Sequence, residues 1–165
     1  MEKTRYLILI VKNNAGVLAR ISSLFGQRGF NIDSLTVSAT NKPGISRITV
    51  STTGDEKTFV QIQKQTAKLQ ETLHVVTVES PAALLRELLL VKLSTDGNLS
   101  ESIRALSERY GARIIDISNG SMVLELTGAP DRVDEFLREL EPFCVLEMCR
   151  TGVTALERGH TAYQY

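Results

Sequence analysis

Asn13, Gly16 and Asn31 are the residues of this 165-residue chain best suited to holding a small ligand. The stretch Val11-Lys12-Asn13-Asn14-Ala15-Gly16-Val17-Leu18 reads as the end of a strand, a tight loop and the start of a helix. Backbone N–H groups at a helix start carry a partial positive charge and suit a carboxylate. Gly16 lacks a Cβ and lets the main chain come close to a ligand. The Asn13 amide can donate to a carboxylate and accept from an ammonium group. Asn31 follows one helix length later, in Arg28-Gly29-Phe30-Asn31-Ile32-Asp33, and could do the same from the other side. Val17, Leu18 and Ile32 would offer an apolar wall to an aliphatic side chain. Asn and Gly also favour ordinary turns and caps, so the loop alone leaves both readings open.

Catalytic arrangements are missing. His74 and His160 have no Cys or Ser partner at a recognisable spacing. There is no H-x-x-x-H or C-x-x-C pair for a metal, and no Gly-rich phosphate loop. Asp33 and Asp116 suit turns or caps better than acid–base work. Five Phe, four Tyr and no Trp leave no aromatic platform for nucleic acid. No catalytic residue and no metal ligand is assigned.

The elements that position the loop form a pattern used twice. Leu7–Val11 is a strand, and Val17, Leu18, Ile21, Leu24 and Phe25 recur at helical spacing. Gly29 is placed to end that helix. Phe30 and Ile32, then Leu35 and Val37, alternate out of phase, which predicts a bulge near Asp33-Ser34. Asn41-Lys42-Pro43-Gly44 is a turn, and Ile48 and Val50 mark a half-buried strand. Phe59, Ile62, Thr66, Leu69 and Leu73 predict a second helix capped by Asp55 or Thr53, followed by a strand over Val75–Val78.

After Ser80-Pro81 the same order recurs. Leu88–Leu93 is a strand, and Leu99, Ile103, Leu106 and Tyr110 predict a helix ended by Gly111. Asn119-Gly120 is a hairpin turn, Pro130 starts a helix, and Val145, Leu146 and Met148 close the unit. The fold class is therefore α+β, with two tandem ferredoxin-like βαββαβ domains over residues 1–79 and 80–165. Each would leave one sheet face uncovered, which predicts at least a homodimer. The segment from Arg150 to Gly159 has too few apolar residues for a core element. It reads either as a frayed end or as a tail that docks on a partner.

Bulk properties narrow the function classes. The chain is 42% hydrophobic and 23% charged with zero net charge, so it can bury a core. Residues 1–80 hold 10 Lys+Arg against 6 Asp+Glu, and residues 81–165 hold 9 against 13. That asymmetry is too mild for a nucleic-acid surface. No apolar run is long enough to span a membrane. Cys144 and Cys149 would face opposite sides of a strand, which speaks against a disulfide or a shared metal. Two free thiols suit the cytoplasm, the expected location.

The series Asn13-x-x-Gly16-Val17-Leu18, then Arg28-Gly29-Phe30-Asn31-Ile32-Asp33-Ser34-Leu35-Thr36-Val37, resembles the ACT domain of acetolactate synthase small subunits. The resemblance continues through Ser46-Arg47-Ile48-Thr49, Gly54-Asp55-Glu56 and Lys68-Leu69. Leu90-Val91-Lys92, Ile114-Ile115-Asp116 and Arg150-Thr151-Gly152-Val153 resemble that family's C-terminal domain. Lys12 stands where many members have an acidic residue, and Ala15 where proline or serine is frequent.

The resemblance implies a non-catalytic subunit that activates a large catalytic subunit in branched-chain amino-acid synthesis and confers feedback inhibition by valine. Leucine and isoleucine are the alternative effectors. It implies that valine binds where two ACT domains meet, at Asn13, Gly16 and Asn31. It also implies that thiamine diphosphate, Mg and FAD belong to the catalytic partner, with no cofactor on this chain.

Overall fold

A computed structural model describes residues 3–78, 82–95 and 100–160. The elements are β1 (Lys3–Lys12), α1 (Val17–Gln27), β2 (Ser34–Ala39), β3 (Ile45–Gly54), α2 (Glu56–Thr66), β4 (Thr72–Val78), β5 (Ala83–Ser94), α3 (Ser100–Tyr110), β6 (Arg113–Ser118), β7 (Ser121–Gly128), α4 (Pro130–Glu139), β8 (Val145–Arg150) and β9 (Thr154–Glu157). Two βαββαβ units result. Their antiparallel sheets have the equivalent strand orders β2-β3-β1-β4 and β6-β7-β5-β8. Leu99 and the Ser80-Pro81 connector lie outside the described residues.

The two units share their local devices as well as their order. Helix α1 ends in a Schellman cap: Gly29 N–H donates to Gly26 C=O and Phe30 N–H to Phe25 C=O, at 3.1 and 2.9 Å. Gly29 sits at φ +70°, a backbone that favours glycine. The Phe25 and Phe30 rings meet edge to face at 6.2 Å and supply the apolar contact of that motif. Helix α3 ends the same way. Gly111 N–H donates to Glu108 C=O and Ala112 N–H to Ser107 C=O, at 3.2 and 2.8 Å. The central strand of each sheet also slips register at the same place, between Ile10 and Val11 in β1 and between Lys92 and Leu93 in β5.

The first core forms where alternate β1 residues meet the apolar stripes of two helices. Leu7, Leu9 and Val11 pack with Ile21 and Phe25 of α1 and Ile62 of α2, all fully buried. In the second unit Leu89, Val91 and Leu93 play that part with Ile103 and Phe136. Asn119-Gly120 makes the two-residue hairpin turn between β6 and β7, with Ser118 opposite Ser121 and Gly120 at φ +81°. Pro130 opens α4.

Four expectations are revised. The phase change before Leu35 does not mark a bulge, because β2 begins only at Ser34. It pairs with β3 without a slip from Ser34↔Ser51 to Ala39↔Ser46. Phe30 and Ile32 belong to the turn leaving the α1 cap. Helix α2 stops at Thr66, whose hydroxyl bonds back to Ile62 C=O at 2.8 Å. Leu69 lies in the following turns and Leu73 in β4, because successive short bonds (Lys68 N–H to Gln65 C=O, Leu69 N–H to Thr66 C=O) bend the chain into the strand.

The third concerns the sheet face away from α1 and α2. Ile8 and Ile10 lie on it and are fully buried. The fourth concerns the tail. Val153 and Ala155 are 3% and 1% exposed, and residues from Gly152 onward group with the first unit, Met1–Leu84, while Leu85–Thr151 form the second. This division differs from a boundary at 79/80. Two apolar side chains suffice because hydrogen bonds hold the tail. Thr36 Oγ1 donates to Val153 C=O at 2.8 Å and Arg47 Nη2 to Ala155 C=O at 2.6 Å. A Cβ on Gly152 would lie 3.0 Å from Leu35 N and 3.1 Å from Leu35 O, so a larger residue would press the two backbones apart at that crossing.

Asp55 is the cap of α2: its carboxylate accepts from Thr58 N–H at 2.8 Å. The Thr58 hydroxyl first, and this backbone bond second, hold the Asp55 pKa below its ordinary value. A depressed folded pKa gives stability that is present above the unfolded value and lost as pH falls through the folded one. Amide exchange at Thr58 should therefore accelerate as pH drops below about 4, after correction for intrinsic rates. Asp55→Ala should exchange fast at all pH values. An Asp55→Ala profile identical to wild type would contradict this cap.

Candidate functional site

The loop after β1 is built by backbone geometry. Lys12 N–H donates to Glu71 C=O and Asn13 N–H to Gly44 C=O, both at 2.8 Å, which fixes where the chain leaves the sheet. Val17 N–H then donates to Asn14 C=O at 3.3 Å, closing a turn over Ala15 and Gly16. Gly16 sits at φ +81° and ψ −1°, the conformation that the third residue of a type II turn needs. It is also the N-cap residue of α1, where no side chain caps the helix. As second and third residues of α1, Leu18 and Ala19 have N–H groups with no helical acceptor four residues back. Those donors are what a carboxylate would use.

Around the loop, Asn13, Asn14, Ala15 and Gly16 are exposed. Val17 is 7% exposed and belongs to the first core, while Leu18 is 39% exposed and faces outward. Arg20 and Glu71 were not singled out from sequence. Arg20 Nη1 pairs with the buried Glu71 carboxylate at 3.1 Å, and Nη2 lies 4.0 Å from where a Gly16 Cβ would stand. The available signal was spacing: Arg20 follows Gly16 by four residues, and helical side chains lean toward the N-terminus.

Asn31 lies just before β2, outside any strand. Its C=O accepts from Thr52 Oγ1 at 2.6 Å, and its side-chain Nδ2 donates to Asp33 Oδ1 at 2.5 Å. The other Asp33 oxygen accepts from Thr53 Oγ1 at 2.8 Å. Ile32 is half-buried against the first core.

These residues form two groups. Asn13 bonds Gly44 at one end of β3, and Asn31 bonds Thr52 at the other. Eight residues of extended strand separate Gly44 from Thr52, a span of about 27 Å. One amino acid cannot touch both side chains within a single chain. Among the described residues no cluster of three or more His, Cys, Asp or Glu could hold a metal ion. Cys144 and Cys149 are free and exposed. No described helix is long and apolar enough to cross a membrane.

Comparisons with known proteins agree with this architecture. The family model "AHAS small subunit-like ACT domain" matches residues 7–74, and "Small subunit of acetolactate synthase" matches residues 86–159. The acetolactate synthase isozyme 3 small subunit of Salmonella typhimurium is 39% identical over 156 residues, covering 94% of this chain and 96% of that protein. A probable acetolactate synthase small subunit of Archaeoglobus fulgidus is 38% identical over 154 residues, 93% and 96% of the two chains. The crystal structure of the Thermotoga maritima acetolactate synthase small subunit superposes with a TM-score of 0.89 at 35% identity, covering 96% of this chain and 99% of that one. With two family models along its length and relatives of matching extent, this chain belongs to the acetolactate synthase small-subunit family.

Proposed function

We propose that this chain is a non-catalytic regulatory subunit that activates a thiamine-diphosphate-dependent acetolactate synthase large subunit and makes it sensitive to valine. The observation that carries the reading is the loop at the head of α1. It combines a left-handed Gly16, outward Leu18 and two first-turn N–H groups, with Asn13 at its base. A zwitterionic aliphatic amino acid matches those features: its carboxylate suits the helix start, and its side chain suits Leu18.

The wide separation of Asn13 and Asn31 supports a site shared by two copies. A two-fold axis beside the sheet would bring the Asn13 end of one chain to the Asn31 end of its partner. The working form is then a homodimer or a higher homo-oligomer. Val17 and Ile32 act from behind in this arrangement, shaping the core under the loop and under Asn31. Sensing belongs to the first domain, and the second domain engages the large subunit. Thiamine diphosphate, Mg and FAD reside in that cytoplasmic catalytic partner. Valine must favour one of two subunit arrangements, with a coupling of roughly 1–3 kcal/mol.

Adding the purified chain to its large subunit should raise acetolactate formation, and valine should then suppress it. No change in either rate would reject the reading. Leucine and isoleucine titrated in the same assay give the order of preference.

A further inference from the structure

We propose that Asp33 is a positioning residue that turns the Asn31 carboxamide so that its oxygen receives the ammonium group of the bound amino acid. This deepens the proposed site and rests on that reading. A free Asn side chain can present either end to a ligand. Here the choice is made by chemistry. An ionised carboxylate only accepts hydrogen bonds, so Asp33 Oδ1 can meet only the NH2 end of Asn31, at 2.5 Å. The Asn31 oxygen is left turned away from the carboxylate.

Asp33 is itself held. Thr53 Oγ1 spends its one proton on Asp33 Oδ2 at 2.8 Å. Thr4 Oγ1, 2.9 Å from Thr53 Oγ1, must then be the donor in that pair. The backbone is pinned on both sides of the amide: Thr52 Oγ1 donates to Asn31 C=O at 2.6 Å, and Asp33 N–H to Ser51 C=O at 2.9 Å. Every one of these partners lies on β3 or β1, the two inner strands of the sheet. Asn31 is therefore oriented before any ligand arrives.

Charge points the same way. The Asp33 carboxylate behind Asn31 attracts an ammonium and repels a carboxylate. The loop at Gly16, with the open N–H groups of the helix start, has the opposite preference. In a site shared by two chains, the zwitterion is aligned with its carboxylate at α1 of one and its ammonium at Asn31 of the other.

Calorimetric titration with valine and with 2-hydroxyisovalerate, which has a hydroxyl in place of the ammonium, tests this. Wild type should prefer valine. Asp33→Ala should weaken valine by about tenfold, the scale of a charge-assisted hydrogen bond, and leave the hydroxy acid within about twofold. Thr53→Val, which keeps Asp33 but removes its brace, should lower the preference in the same direction. Asp33→Asn can still accept from Asn31 but lacks the charge, so its preference should fall between the two. Equal weakening of both ligands by Asp33→Ala, or unchanged valine binding, would overturn the assignment. Unchanged valine binding in Asn31→Ala would overturn the amino-acid site itself, and the assignment with it.

Discussion

Gly16→Asp should abolish valine binding and valine inhibition while leaving activation of the large subunit intact. Three effects act together. Gly16 has φ +81°, where a side chain costs about 1 kcal/mol, a strain a folded domain can absorb. The space is open, with only Arg20 Nη2 at 4.0 Å from the new Cβ, so the domain keeps its fold. The new carboxylate then takes the helix N–H groups that the ligand needs. It also repels the ligand's own carboxylate, by about 4 kcal/mol at 4 Å and an effective dielectric of 20. That is more than two orders of magnitude in affinity. Gly16→Ala separates the contributions: it carries the same backbone strain without the charge and should lose much less. Calorimetry gives the affinities, and acetolactate formation with and without valine gives the response. Full valine sensitivity in Gly16→Asp would remove the loop from the site.

Arg150→Met should strongly destabilise the second unit. Arg150 ends β8, and its guanidinium binds Glu87 through Nε and Nη2 and Asp134 through Nη1, the last at 2.7 Å. Glu87 is 6% exposed on the core side of β5, so it relies on this partner. Burial pulls the Arg150 pKa down, but the hydrogen bonds of Glu87 and Asp134 outweigh it and raise the pKa above its ordinary value. Removing the arginine strands a buried carboxylate, a loss of about 3 kcal/mol or more. Denaturant unfolding should show that loss. The double variant Glu87→Leu/Arg150→Met should recover most of it, because no charge is then left buried and unpaired. The Arg150-Thr151-Gly152 segment is also where the chain leaves the second unit for the first. An Arg150→Met protein as stable as wild type would show that the ion pair contributes nothing.

The repeat was legible in the sequence because its signals are local. Gly29 and Gly111 end helices through their own backbone, Asn119-Gly120 turns a hairpin, and alternation in Ile48–Val50 marks a strand. What could not be read depended on distant partners. The tail looked too polar to pack, since Val153 and Ala155 are its few apolar anchors. Its hydrogen bonds go to Thr36 and Arg47, more than a hundred residues earlier. The helical spacing of apolar residues runs past the end of α2, because Leu69 continues the period while Thr66 breaks the backbone pattern. At the candidate site, residue types identified Asn13, Gly16 and Asn31, but only the register of β3 shows that Asn13 and Asn31 stand at opposite sheet ends. Asp33 reads as a turn residue in sequence, and its grip on Asn31 needs the position of Thr53.

In the proposed valine site, Asn13 comes from one chain and Asn31 from another. Mixing two defective chains tests it most directly. Asn13→Ala and Asn31→Ala homodimers should each fail to bind valine. Once subunits exchange, every mixed dimer has one site with both asparagines intact and one with neither. At equal mixing, half the dimers are mixed, so about a quarter of the wild-type sites should reappear at wild-type affinity in a calorimetric titration. If the mixture exchanges subunits and binds no more valine than its components, the two residues do not meet across a dimer, and the account is wrong.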